Sequence, residues 1–462
     1  MPKHLLPLFF FFTASCFAQT ISEPVLTPYH FSNTECLSEE KRAEIKQQLN
    51  ASIAQLQSEG ILPTQYSEAI VLFDWPLKLR TGLTDYGYHS ISAQVDQDPA
   101  FPNQLKDYDC GTRTYDTPSG YNHAGTDYFL WPFEWNKMDS MDVEIIAAAP
   151  GTIIYKSDGN FDRSCGFNSN NWNAVFVQHS DGSVAWYGHM KNGSLTTKTV
   201  GQTVAAGEYL GVVGSSGNSS GPHLHFEIYD SGNNLIDPYQ GSCNSLNTAS
   251  WWNNQRPYVD AAINHIATNF TAPVFNLCSQ QDTKNERDYF TNTDTIFLMT
   301  YYRFLSMNDS VLVTIYRPDN SVWGSWWWGN TWGDFNAAYV YWWAILGSTE
   351  PSGQWKFEAV YENQVYFHNF WIGLSAFDEQ QNAKGGFFIY PNPASRTITV
   401  IARDVKQPAC RQAGLTLYNS MSQEIGSWNL EAGDNKIDIS DKPKGIYFYR
   451  IGNSQFGKII IQ

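Results

Sequence analysis

The sequence predicts a mainly β protein: an antiparallel β-sheet domain, then a β-sandwich and a small C-terminal β-sandwich, preceded by a short helical segment. Three observations carry that prediction. Beyond residue 60, Pro and Gly recur every few residues. Between them, short runs such as "EIIAAAPGTIIYKSDG", "NAVFVQHSDGSVAWYGHM" and "YLGVVGSSGN" alternate apolar and polar residues and break at Asp-Gly or Ser-Gly turns. Only one long stretch, "SEEKRAEIKQQLNASIAQLQSEG" at 38–60, has a helical period.

The elements follow in order. Residues 1–18 combine Lys3, an apolar run from Leu5 to Phe12 and a small residue at Ala18, the layout of a secretory signal peptide. The run is too short to anchor the chain in a bilayer, and no later segment is apolar for long enough to span one. Residues 19–74 form the helical segment, with Ala43, Ile45, Leu49, Ile53 and Leu56 approximating one face and Gly60 as the stop. Its position suggests a propeptide. Residues 75–268 make the first β domain, closed by a short helix expected in "RPYVDAAINHIATN" at 256–269. Residues 269–378 have the size and strand spacing of an immunoglobulin-like sandwich. Its Trp-rich stretch, "SVWGSWWWGNTWGDF", reads as core and hairpin, with an aromatic docking platform as the other reading. A polar stretch at 374–386 reads as a linker, and 379–462 holds a last set of short strands.

The net charge of −16 argues against nucleic acid or an anionic membrane surface as the main partner. Once Cys16 leaves with the signal, Cys36, Cys110, Cys165, Cys243, Cys278 and Cys410 remain. An even count in an exported chain predicts disulfides, but six cysteines allow fifteen pairings. None lies in a C-x-x-C pair, which argues against a cysteine-ligated zinc site.

The chemistry concentrates in four short pieces. In "GPHLHFEIYD", strand alternation places His223, His225 and Glu227 on one face and Leu224, Phe226 and Ile228 on the other. Two imidazoles and a carboxylate on a buried strand need a partner, and a metal is one such partner. Alone, the H-x-H reads as a hydrogen-bonded surface pair. It is joined by "GYNHAGTDYF" with His123 and Asp127, by "WYGHM" with His189, and by Gly-rich turns at 215–223 that would let a bound chain approach. Glu227 reads first as a structural or solvated carboxylate, with support of an imidazole as the other reading. His30, His89, His179, His265 and His368 lack a motif and take surface or hydrogen-bonding roles. Asp109, Arg113 and Asp116 either line the cleft or form ion pairs.

Together, H-x-x-x-D, Y-x-H and H-x-H, with "AAAPGTIIYKSDG" and "IDPY", resemble the lysostaphin-type (LytM-like) zinc metallopeptidases over roughly 108–237. The resemblance implies one Zn²⁺ per catalytic domain, held by His123, Asp127 and His225. His189 and His223 would then be catalytic histidines that do not bind the metal. Such a ligand set leaves an open fourth position for water, as catalytic zinc requires. The implied activity is endopeptidase cleavage by zinc-activated water, in peptidoglycan stems or cross-bridges or in Gly-rich proteins. The competing reading is a catalytically inactive cell-wall binding or regulatory module of the same fold.

A second resemblance lies at the C-terminus. "FFIYPNPAS" and "GIYFYRIGNSQFGKIIIQ" resemble the sorting domain of type IX secretion substrates. That implies passage across the outer membrane by the type IX machinery, to a secreted or cell-surface product.

Overall fold

The computed structural model of the protein describes residues 20–31, 37–373, 387–390, 394–402, 414–419, 423–431, 433–451 and 455–461. The signal-peptide reading, the 374–386 linker, Cys36 and Cys410 lie outside these residues.

The helix forms where its period places it, over Glu39–Ser58. Ser38 caps it by accepting from the Lys41 amide at 3.2 Å, Glu39 and Glu40 lie in its first turn, and Gly60 follows with φ of 74°. Its buried residues are Arg42, Ile45, Leu49 and Leu56, while Ala43 is exposed. The three aliphatic side chains pack on Ile154, Phe176 and Trp186 of the first β domain. Full burial of each contributes roughly 1.5–3 kcal/mol, so the helix is a fixed part of that domain.

That domain is an eight-stranded antiparallel sheet. In spatial order it runs Thr203–Val204, Gly151–Ser157, Ala174–Gln178, Val184–Gly188, His223–Tyr229, Thr126–Leu130 and His89–Ala93, with Leu235–Ile236 paired to His223–Tyr229. One face carries Val175, Val177, Leu224, Phe226 and Ile228 into the main core, shared with Ile145 and Leu210 of a second, three-stranded sheet. The other face is the one the helix covers. The histidine strand therefore turns its apolar residues to the core and its polar residues toward the helix.

The segment 256–269 corrects the helix expected there. Ala262–Asn269 is a β-strand, paired antiparallel with Ile296–Leu305. A bulge between Ile263 and His265 lets residues from both of its sides be buried. Ile263 and Ile266 pack in the core of the second unit, and β-branched side chains suit that environment.

The second unit is a β-sandwich. One sheet holds Ala262–Asn269, Ile296–Leu305 and Phe335–Ile345, completed by the N-terminal strands Thr20–Ile21 and Val25–Pro28. The other holds Tyr289–Phe290, Gln364–Ile372, Gly353–Tyr361, Ser310–Tyr316 and Val322–Gly329. Within the Trp-rich edge strand Val322–Gly329, Trp323 is buried, Trp326 and Trp328 are half-buried and Trp327 is 68% exposed. The core-and-hairpin reading fits three of these four. The C-terminal segment forms two further small sheets around Ile398, Val400, Leu415 and Tyr449. Disulfides join Cys110 to Cys243 and Cys165 to Cys278.

Candidate metal centre

Strand register brings the separated motifs to one level. His223–Tyr229 lies between Thr126–Leu130 and Val184–Gly188, and His225 stands opposite Asp127 on one side and Gly188 on the other. His189 follows Gly188 with φ of 60°, in the left-handed region. A non-glycine residue held there costs on the order of 1–3 kcal/mol, a strain that clusters at functional sites. His123 arrives just before its strand, fixed by its amide donating to the Tyr115 carbonyl at 3.1 Å.

All five predicted site residues come together and all are buried. Three of them present ligand atoms to one point. His123 Nε2 lies 3.1 Å from Asp127 Oδ2, His225 Nδ1 lies 2.7 Å from Asp127 Oδ1, and the two ring nitrogens are 3.3 Å apart. Among the described residues, this is the one group of three or more His, Cys, Asp or Glu side chains with that convergence. His223 Nε2 stands farther from Asp127, at 3.7 Å, and its ring centroid is 4.4 Å from that of His189.

The outer nitrogens show how these rings are oriented. His123 Nδ1 is 2.7 Å from the Gln94 carbonyl, His189 Nδ1 is 2.6 Å from the Ser216 carbonyl, and His223 Nδ1 is 2.8 Å from the Gly221 carbonyl. A carbonyl only accepts, so each of these Nδ1 atoms carries a proton. His225 is reversed: its Nε2 faces Glu227 and its Nδ1 faces Asp127, both at 2.7 Å. Two imidazole nitrogens and a carboxylate oxygen thus converge on one point, where a bound cation would replace the protons between them. The donor set of two nitrogens and one carboxylate oxygen suits Zn²⁺. Burial pushes the Asp127 carboxyl up, but His123, His223 and His225 outweigh it and hold it well below the usual range.

The turns at 215–223 bring the carbonyls of Ser216 and Gly221 to His189 and His223. One expectation changes here. Glu227 is neither solvated nor remote. It is fully buried, and although burial raises its pKa, Arg42 and His225 bring it down to about 2. Arg113 and Asp116 serve local structure: Arg113 donates to the Tyr258 carbonyl, and Asp116 accepts from the amides of Asn103 and Gln104.

Sequence reasoning missed Gln94, Trp172 and Arg42. The Trp172 ring lies 5.1 Å from His189 and 6.1 Å from His225. A signal for Arg42 exists, because 42, 45, 49 and 56 share one helical face and only 42 is charged. Phe31, from the N-terminal segment, lies edge-on to His223 at 5.4 Å.

Comparison with known proteins follows the same division of the chain. The model of Peptidase family M23 matches residues 136–238, and that of the secretion system C-terminal sorting domain matches residues 388–462. The chain carries an M23 peptidase domain and a C-terminal sorting domain. His189, His223 and His225 fall inside the M23 match, while His123 and Asp127 precede it. Over 110 residues the chain is 28% identical to the peptidoglycan DD-endopeptidase ShyC of Vibrio cholerae, covering 24% of this chain and 21% of that protein. Over 105 residues it is 37% identical to the DD-carboxypeptidase/endopeptidase Mpg of Neisseria meningitidis, covering 23% and 19%. The chain thus spans about a fifth of the length of these curated relatives. Solved structures similar to it include the lysostaphin catalytic domain of Staphylococcus simulans, at 21% identity and a TM-score of 0.21, covering 32% of this chain and 89% of that one. A zinc-containing peptidase of Vibrio cholerae matches at 16% identity and a TM-score of 0.24, covering 46% and 69%. Among the described residues, no helix is long and apolar enough to cross a membrane.

Proposed function

We propose that this chain is an exported zinc metalloendopeptidase that hydrolyses peptide bonds in peptidoglycan stems or cross-bridges. The observation that carries the proposal is the convergence of His123 Nε2, an Asp127 oxygen and His225 Nδ1, with both rings held through their outer nitrogens. These three residues hold the metal. Bound zinc supplies Lewis-acid polarisation and lowers the pKa of water from 15.7 to roughly 7. His189 and His223 keep their Nδ1 protons on backbone carbonyls, so their Nε2 atoms are the ones that accept a proton, orient water and, once protonated, donate to a developing oxyanion. Burial of the five side chains keeps the local dielectric low, which strengthens each of these interactions.

Peptidoglycan is favoured as substrate by the activities named for ShyC and Mpg. The sorting domain supports export through the type IX machinery to a secreted or cell-surface product. Phe31 packs edge-on against His223, so the N-terminal residues reach the edge of the site. The test is mass spectrometry of fragments from purified peptidoglycans and from elastin or casein, with and without chelator. It is run on the full chain and on chain trimmed before Leu37. Chelator-sensitive peptide cleavage in peptidoglycan is expected. Stoichiometric zinc without cleavage of any substrate would favour the inactive wall-binding module instead.

A further inference from the structure

The N-terminal helix reaches the candidate metal centre through one side chain. Arg42 lies on the buried face of Glu39–Ser58, in line with Ile45 and Leu49, where an aliphatic residue would pack as well. Its Nη1 donates to both oxygens of Glu227 at 2.5 Å and lies 3.1 Å from the Tyr229 hydroxyl. Tyr229 donates in turn to Glu227 Oε2 at 2.7 Å, and His225 Nε2 donates to Glu227 Oε1 at 2.7 Å. Each carboxylate oxygen is therefore engaged twice, and the group cannot rotate away from the imidazole. Arg42 and Glu227 are 185 positions apart in sequence and are both buried.

We propose that Arg42 is a positioning residue for the metal centre: by clamping the Glu227 carboxylate, it fixes the group that orients the His225 ring, with Nδ1 facing Asp127 and His123. The inference rests on the reading of those three residues as metal ligands. It has a consequence for maturation. The helix belongs to the working enzyme, and any removable N-terminal piece ends before Leu37, which is itself packed in the same core as Ile45.

The test uses the full chain and its variants Arg42→Met, Arg42→Lys and Glu227→Gln. Zinc affinity is measured by chelator competition, the visible spectrum by Co²⁺ substitution, and the fold by near-UV circular dichroism of the metal-free protein. Loss of a partner behind a metal-bound histidine weakens metal binding roughly 10–100-fold. That loss, with a shifted Co²⁺ spectrum, is expected for folded Arg42→Met and for Glu227→Gln, and Arg42→Lys should recover most of it. A helix that merely packs would leave zinc affinity alone, so folded Arg42→Met binding zinc within about twofold of wild type overturns the inference. If Arg42→Met does not fold, wild-type zinc affinity in Glu227→Gln overturns it equally. A wild-type chain that takes up no metal refutes the metal reading, and the inference with it. Normal wild-type uptake with unaffected variants refutes the inference alone.

Discussion

Two histidine clusters, one buried and one half-buried, each assembled from segments far apart in sequence, differ in where their acids meet the rings. In one, Asp127 and His123 both approach the Nδ1 side of His225, so that three ligand atoms share one point. In the other, His265 has Asp85 3.0 Å from Nδ1 and Glu286 3.0 Å from Nε2, on opposite edges of a single ring. No common centre exists there, because the ring itself separates the carboxylates. Lys137 completes this second cluster by pairing with Asp85. Burial lowers the His265 pKa, but Glu286 and Asp85 outweigh it and raise it to about 9. His265 is thus a cation that ties the sandwich to the first β domain, whereas His225 turns one nitrogen to a point it shares with two other ligand atoms. Acidic neighbours do not make a histidine a ligand; convergence on one nitrogen does.

The largest effect should separate the two clusters outright. His225→Ala is expected to abolish zinc binding and lower peptide cleavage by more than about 10³-fold, and His265→Gln to leave zinc stoichiometry unchanged; metal analysis of both purified variants checks this. Next comes His223→Ala, which should keep zinc and lose roughly 10²–10³-fold in kcat, since it removes a proton-handling and donor group but no ligand. A zinc-free His223→Ala protein would instead place His223 in the ligand set. Gly125→Ala probes the metal cluster more gently. A Cβ there would stand 2.7 Å from Cε1 of His225, so the ring must shift, and zinc should weaken by about tenfold in a chelator competition.

The smallest effect concerns pH. A histidine whose folded pKa is raised contributes stability that is complete below its unfolded value, near 6.5, and is lost as pH rises through the folded value, about 9 here. Thermal unfolding should therefore show stability falling across pH 6.5–9, and His265→Gln should flatten that slope. An unchanged slope would remove His265 as its source.

Part of the candidate metal centre was legible locally, while the proposed ligand set came from the family resemblance. Alternation alone put His223, His225 and Glu227 on one face, and the structure places His123, Asp127 and His189 beside them. What sequence could not give was long-range pairing. Arg42 meets Glu227 across 185 positions, and nothing local marks that contact beyond a charge on an apolar face. At 256–269, Ile263 and Ile266 fit a short helix as well as a bulged strand, and only pairing with Ile296–Leu305 decides between them. The cysteine pairings were equally open until the loops at 110 and 243, and at 165 and 278, were brought together.

Three converging atoms, on His123, Asp127 and His225, are proposed to hold a catalytic zinc in this chain. The most direct measurement is zinc content of the purified protein beside its cleavage of peptidoglycan, before chelation, after chelation and after zinc is restored. The account predicts one zinc per chain, cleavage lost with the metal and regained with it. Full cleavage by exhaustively metal-free protein would contradict it.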